Sequence, residues 1–190
     1  KVSADGMAYH SQGGYLKVSR LKEVYDTEEI ILQAAQEFGY QRLEDINMDE
    51  QIGFFRFLMT AFNGTRCSAA KAFLSPAKDR NNLHVAKYAH VTKMLIDADS
   101  KQAKGVEFKV KNGDFHQIKL RKEVILSAGT INSPQILMLS GIGPQEHLKE
   151  IGIHPIIQNS KVGENLQDHF SFSGLLYGLK INSLAEISSP

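Results

Sequence analysis

Residues 129–143, GTINSPQILMLSGIG, decide how this sequence of 190 residues is expected to fold around them. They follow the apolar run 124–126, and they place Ser133 and Pro134 ahead of a group of aliphatic residues. Serine is a good N-cap, and proline suits the first helical position because its missing N–H leaves no donor unpaired there. Gly141 is suited to end the helix. The stretch therefore predicts a tight turn of small residues and then a helix.

The strand expected before this turn is residues 123–129, EVILSAG. Consecutive apolar residues are typical of a strand buried on both faces, as in a parallel sheet flanked by other layers. Alternating residues predict further strands at 13–19 and within 82–97, and Asn112–Gly113 predicts a hairpin turn. The predicted fold class is therefore α/β, or α+β overall, with a parallel sheet.

Helices are predicted from three other segments. Asp26 begins the first, with Glu29 three residues later as its capping-box partner and Gly39 at its end. A short helix is expected from Ser68 to Leu74, closing before Pro76, and another from Pro144 to Gly152.

Composition excludes several classes of function. Hydrophobic residues make up 42% and charged residues 23% of the chain, which is ordinary for a globular protein. With 22 basic and 21 acidic residues the formal charge is +1, so no field favours nucleic acid or an anionic membrane. We expect no nucleic-acid partner and no membrane span, since no apolar run approaches the required length. The histidines do not stand at a metal-ligand spacing, so no metal site is predicted.

Two features near residue 65 have ordinary interpretations. Cys67 is the single cysteine, so the chain has no internal disulfide, and the thiol is expected to be a small buried residue beside a helix. Asn63-Gly64-Thr65 is a glycosylation sequon, a triplet that also arises often by chance.

The turn at the start of the helix has the properties of a binding site. Ser127, Ala128 and Gly129 have almost no side chain, so a ligand can approach their backbone. The free N–H groups of a helix start favour a phosphate or another anion. The alternative is structural, because small residues after a buried strand also let a helix pack closely.

The same stretch resembles a known family. GTINSPQILMLSGIG matches, position for position, the second signature of the glucose-methanol-choline (GMC) oxidoreductases. NGTRCSAAKAFLSP, HVTKMLID and VGENLQDH resemble further segments of that family in the expected order, and together the likeness covers residues 8–172. HSQGGYLKV and RCSAAKAFL are most similar to its insect glucose dehydrogenase branch.

The resemblance implies an FAD-binding domain interleaved in sequence with a substrate domain. It assigns residues 1–80 to the substrate or cap region and its link, residues 81–160 to the FAD-binding domain, and residues 161–190 to a returning substrate-domain segment. The implied reaction is oxidation of an alcohol or sugar hydroxyl by hydride transfer to the flavin, with a quinone or oxygen as electron acceptor. Secretion is also implied by this branch.

The resemblance also assigns cofactor contacts. Val91 matches the position whose backbone N–H and C=O read the adenine edge of FAD, and the alternative is an ordinary strand residue of the core. Ser127, Ala128, Gly129 and Thr130 match the part of the chain that passes close to the cofactor. No catalytic residue is assigned.

Residues after the QDH triplet line the substrate cavity in some members of the family, which implicates His169 and Ser171. The alternative for His169 is a loop histidine that caps backbone groups. Asn165, Gln167 and Asp168 are expected to fix this crossing of the chain by hydrogen bonds.

Several family elements do not occur in these 190 residues: the G-x-G-x-x-G loop, the first signature and the segment with the active-site histidine. We therefore expect an internal fragment that neither catalyses the reaction nor retains stoichiometric flavin, and that is prone to aggregate. Two other hypotheses stay open: an oxidase of the same family with another alcohol as substrate, and a truncated, non-catalytic paralogue that acts as a binding module.

Overall fold

The computed structural model describes residues 9–20, 25–172, 174 and 178. The described residues up to His84 belong to one compact unit, here unit 1, and Val85–Phe172 form a second, unit 2. Each unit combines helices with strands, and both parallel and antiparallel strand pairs occur, so the mixed α/β class predicted from the sequence is confirmed. No helix in the described part of the chain is long and apolar enough to span a bilayer.

Helix α1 of unit 1 spans Asp26–Glu37 and buries Leu32 and Ala35. Gly39 follows it with φ +86°, a left-handed conformation that glycine adopts without strain, so the predicted end is confirmed. Strand β1, Arg42–Leu43, then pairs in parallel with β2, Phe54–Phe55.

The start of α1 differs from the prediction. The N-cap is Tyr25, with no side-chain cap bond, so the capping box is wrong. The Glu29 carboxylate instead accepts hydrogen bonds of 2.5 and 3.1 Å from Arg42 and one of 3.0 Å from Arg56. Charge-assisted hydrogen bonds to a guanidinium are stronger than a bond to a neutral backbone N–H. The Glu29 carboxylate therefore binds the two arginines rather than the N-terminus of its own helix.

A hairpin of β3, Ala61–Phe62, and β4, Thr65–Arg66, follows. Asn63 and Gly64 form its two-residue turn with φ of 49° and 70°, the pattern of a type I′ turn. A π-helix, Ala70–Leu74, continues into α2, Ser75–Ala77. The predicted closure before Pro76 is wrong, because Pro76 lies at the start of α2, where its missing N–H is tolerated.

The strand predicted at 13–19 is also wrong. Only Ser19 of that stretch forms a bridge, antiparallel to Met59. The segment is attached through Cys67, whose Sγ accepts the Lys17 N–H at 3.4 Å and donates to the Tyr15 carbonyl at 3.8 Å. Cys67 is 4% exposed, so its predicted burial is confirmed.

Unit 2 is built on an antiparallel sheet in the order β5-β6-β7. Its strands are β5, His90–Ile96, β6, Ala103–Lys109, and β7, Phe115–Lys119. Gly113 has φ +100° in the turn between β6 and β7, which confirms the predicted hairpin.

The helices of unit 2 follow the sheet in sequence. Helix α3 spans Gly129–Leu139 and α4 spans Gln145–Glu150, and between them Gly141 has φ +80°. Strand β8, Ile142–Gly143, pairs in parallel with β9, Ile157–Gln158. Leu148 of α4 is completely buried, and Met94 and Ile136 are also buried.

Two expectations for residues 123–143 are wrong. Residues 123–128 form no strand, and Ile125 is 81% exposed. Helix α3 begins at Gly129 rather than after Ser133. The Ser133 hydroxyl accepts the Ala128 N–H at 3.1 Å. Ser133 therefore lies inside the helix and binds the residue that precedes its first turn.

Candidate cofactor-binding groove

A groove of about 500 Å³ lies in unit 2 between β5, the segment 124–128 and α3. Its lining contains no aspartate, glutamate, lysine or arginine; it consists of aliphatic side chains from all three elements, His90, Ser127 and the amides of Asn132 and Gln135. Any charge preference of this groove therefore comes from backbone groups, and its size is that of a small-molecule site.

Val91 lies on one wall of the groove. It is half-buried and opposite Phe108 in the sheet, and the register is irregular between Val91 and Lys93. Because β5 is the edge strand of its sheet, one side of its backbone faces no other strand among the described residues. An edge of this kind offers N–H and C=O groups to a ligand whatever the side chain.

Side-chain hydrogen bonds on the face of the sheet away from the groove connect β5 to its neighbours. Glu107 follows Val106, which lines the groove, so its side chain points to the other side. The Thr92 hydroxyl donates to Glu107 Oε1 at 2.9 Å, and this bond lowers the pKa of the Glu107 carboxyl. Gln117 donates to the second carboxylate oxygen at 3.2 Å. The three side chains tie β5, β6 and β7 together at the level of Val91.

The opposite wall is the turn that leads into α3. Ser127 and Ala128 line the groove, and Gly129 follows with φ +87°. A Cβ placed on Gly129 would meet no atom within 4 Å, so the backbone there is open to approach. The first turn of α3 carries no acidic residue, in contrast to α1, which has Asp26, Glu28 and Glu29 at its start. The positive end of α3 is thus not neutralised by its own side chains.

The structure brings together part of the predicted cofactor site. Val91, Ser127 and Ala128 line one groove although 36 residues separate the first two. Gly129 and Thr130 do not line the groove, but they follow Ala128 directly as the first residues of α3. Sequence reasoning missed Asn132 and Gln135, which line the same groove. A helix starting at Gly129 rather than Ser133 would have revealed them, because residues 128, 132 and 135 then share one face.

The predicted substrate-cavity residues lie elsewhere in unit 2. His169 and Ser171 are exposed and do not line the groove. The His169 backbone N–H donates to Asp168 Oδ1 at 2.7 Å, and Gln167 donates to Asn165 Oδ1 at 2.9 Å. These bonds support the prediction that Asn165, Gln167 and Asp168 stabilise the loop.

The part of the chain that the structure describes contains no candidate metal site. Across residues 9–20 and 25–172 no group of three or more histidine, cysteine, aspartate or glutamate side chains is placed to hold a metal ion.

Comparison with protein families gives the chain its relatives. Residues 4–171 match the GMC oxidoreductase family. The chain belongs to that family. It is 40% identical over 167 residues to glucose dehydrogenase [FAD, quinone] of Drosophila melanogaster, covering 88% of this chain and 27% of the relative. It is 45% identical over 161 residues to the mitochondrial choline dehydrogenase of Homo sapiens, covering 85% and 27%.

Solved structures agree with this membership. An FAD-dependent oxidoreductase from Chaetomium thermophilum superposes with a TM-score of 0.78 at 29% identity, covering 87% of this chain and 30% of that one. A formate oxidase superposes with a TM-score of 0.70 at 28% identity, covering 77% and 25%. The chain therefore spans between a quarter and a third of the length of these relatives.

Proposed function

We propose that the complete gene product containing this sequence is an FAD-dependent oxidoreductase that oxidises the CH–OH group of an alcohol or sugar. The observation that carries the proposal is the groove of unit 2, where the edge strand β5 faces an open, small-residue turn at a helix start. Bound FAD would accept the hydride of the substrate.

The groove fits the adenosine end of such a cofactor. Adenine needs one donor and one acceptor at its edge, and the backbone of Val91 supplies one of each. The phosphates need backbone N–H groups and no carboxylate on the same helix turn, and the first turn of α3 from Gly129 onward offers both, whereas the Ala128 N–H is bonded to Ser133. The apolar side chains of the walls would contact the faces of the ring.

The two units take different parts in this proposal. Residues 81–160, which make up most of unit 2, belong to the FAD-binding domain, and residues 1–80 belong to the substrate or cap region. Residues 161–190 return to the substrate domain, and His169 and Ser171 line the substrate cavity of the complete protein. Their exposure in unit 2 leaves both side chains free to contact such a substrate.

Two substrate classes are candidates, a sugar and choline. The insect relative is named for glucose and the human relative for choline, and the chain is similar to both at 40% and 45% identity. We propose a sugar hydroxyl first, because HSQGGYLKV and RCSAAKAFL resemble the insect branch. Choline is the second candidate because of the higher identity. A quinone or oxygen serves as acceptor.

A spectroscopic experiment tests the function. The complete gene product is purified and its absorbance is recorded from the near ultraviolet to the blue, and then glucose or choline is added without oxygen. We expect a bound-flavin spectrum that bleaches with one of the two substrates, and recovery with a quinone or with oxygen identifies the acceptor. A colourless protein would overturn the proposal and favour a non-catalytic binding module.

Localisation is a separate proposal. We propose that the gene product is secreted, on the basis of its similarity to the insect branch. The human relative carries the word mitochondrial in its name, so the family does not share one compartment. Fractionation of cells that express the complete gene product, with assay of the medium by antibody, distinguishes the two locations.

A further inference from the structure

Ser140 is buried, at 5% exposure, although its side chain is polar. It is the residue after α3, and its hydroxyl has two partners. The oxygen accepts the backbone N–H of Met94 at 2.8 Å, and the hydroxyl donates to the carbonyl of Ile136 at 2.5 Å. Both partner residues line the groove. One small side chain thus joins the two walls of the groove through backbone groups.

The bond to Met94 lies next to an irregularity in the pairing of β5 with β6. The register of β5 is irregular between Val91 and Lys93, immediately before Met94. An irregularity of this kind interrupts the ladder, so β6 alone does not set the position of the Val91 backbone. The Met94 N–H points to Ser140, which shows that this part of β5 is fixed from its free side by the helix.

We infer that Ser140 is a positioning residue for the cofactor, which holds the Val91 backbone edge at a fixed distance from the small-residue turn at Ser127 and Ala128. The inference rests on the proposed FAD-binding function. Ser140 touches no ligand itself. Because Ser140 holds both walls, a ligand that contacts them meets donors and acceptors that are already in place. Binding then costs less conformational entropy.

The inference predicts a change in selectivity as well as in affinity. The flavin-free complete gene product is titrated with FAD and with flavin hypoxanthine dinucleotide, in which oxygen replaces the adenine amino group and reverses the hydrogen-bond pattern of the edge. Wild-type protein should favour FAD by about tenfold or more, because the analogue leaves backbone groups unpaired. Ser140→Ala should lower this ratio by about threefold to tenfold.

Two further variants separate positioning from general loss of stability. Ser140→Cys fills the same site with a sulfur that accepts hydrogen bonds weakly, and it should lower the ratio like Ser140→Ala. Leu148→Val trims a completely buried side chain of α4, outside the groove, and it should lower the melting temperature without changing the ratio. Hydrogen exchange at the Met94 amide should be faster in both Ser140 variants than in Leu148→Val.

The outcomes distinguish the inference from the function on which it rests. Wild-type protein without affinity for FAD would refute the proposed function. Equal affinity of wild type for both dinucleotides would refute the reading of adenine by Val91, and the inference with it. An unchanged ratio in both Ser140 variants, or an equal fall in Leu148→Val, would refute the positioning role alone.

Discussion

The two units of this chain are ordered in different ways. The main sheet of unit 2 has strands of seven, seven and five residues, and the unit has a completely buried leucine in α4. The strands of unit 1 have two residues each, and its segments are joined by side chains: Glu29 with Arg42 and Arg56, Cys67 with the backbone of residues 15 and 17, and His10 with Asp45 at 2.9 Å. A long backbone ladder therefore connects the main strands of unit 2, whereas side-chain contacts connect the short segments of unit 1.

The largest effect is expected from a change in the backbone of unit 2. Gly141→Ala would place a Cβ 2.7 Å from the His154 carbonyl oxygen and 2.9 Å from Ile156, at φ +80°. A clash with backbone adds to the cost of a left-handed alanine, which is about 1–2 kcal/mol. We expect destabilisation above about 3 kcal/mol, measured by urea unfolding of the complete gene product.

Gly152→Ala is the matched control for that prediction. Gly152 follows α4 as Gly141 follows α3, with φ +74°, but a Cβ there would meet no atom within 4 Å. Only the conformational cost of about 1–2 kcal/mol is expected. Equal effects of the two variants would show that the close approach of residue 154 to Gly141 does not matter.

An intermediate effect, dependent on pH, is expected in unit 1 from Glu29→Gln. The hydrogen bond from Arg42 lowers the pKa of the Glu29 carboxyl below its ordinary value of 4.5. A lowered folded pKa means that the stabilisation is present at neutral pH and is lost as the pH falls through that lowered value. The melting temperature of the variant should be below that of wild type at about pH 7, and the difference should shrink at about pH 3.

Glu37→Gln, on the exposed end of the same helix, controls for the loss of a charge. Its melting temperature should follow wild type across the pH range. A difference for Glu29→Gln that is the same at both ends of the range would exclude the ion pairs as its cause.

A smaller effect is expected at the β3–β4 turn. Gly64→Ala puts alanine at φ +70° in open space, so its cost should be about 1–2 kcal/mol, with no added clash. Calorimetry of the complete gene product measures this cost. Gly64→Asn is the control, because asparagine tolerates the left-handed region, and it should destabilise less than alanine. The reverse order would show that the turn is not of type I′.

The smallest effect on stability is expected from a glycan at the same turn. Asn63 is exposed at the hairpin tip, so the sequon Asn63-Gly64-Thr65 should be modified if the protein is secreted, without a change in melting temperature. Loss of mass on treatment with a glycosidase checks this. Asn112-Gly113-Asp114 is a second exposed Asn-Gly turn without the hydroxyl, and Asp114→Thr should add a second glycan. Secreted protein whose mass is unaffected by the glycosidase would contradict the prediction.

The sequence predicts the elements that neighbouring residues determine and misses those that distant residues determine. The hairpin at Asn112–Gly113 and the glycines after α1 and α3 were predicted from local patterns, because turns and helix ends depend on neighbouring residues. The strand at 13–19 and the capping box were wrong, because Cys67 and two arginines distant in sequence decide those contacts.

The candidate site shows the same limit. Family resemblance named Val91 and the turn at Ser127 and Ala128, and these residues line one groove. The resemblance did not reveal Asn132 or Gln135, because the helix was expected to begin at Ser133, and it gave no role to Ser140, whose bond to Met94 spans 46 residues.

The burial of Cys67 provides a natural reporter for unit 1. A thiol reacts with alkylating reagents only when solvent reaches it, and at 4% exposure this one is shielded in the folded state. Reaction requires the strip around residues 15–17 to separate from it, so the rate of labelling measures how often this part of the molecule opens. Mass spectrometry of the peptide that carries Cys67 would therefore give the opening free energy without any engineered probe.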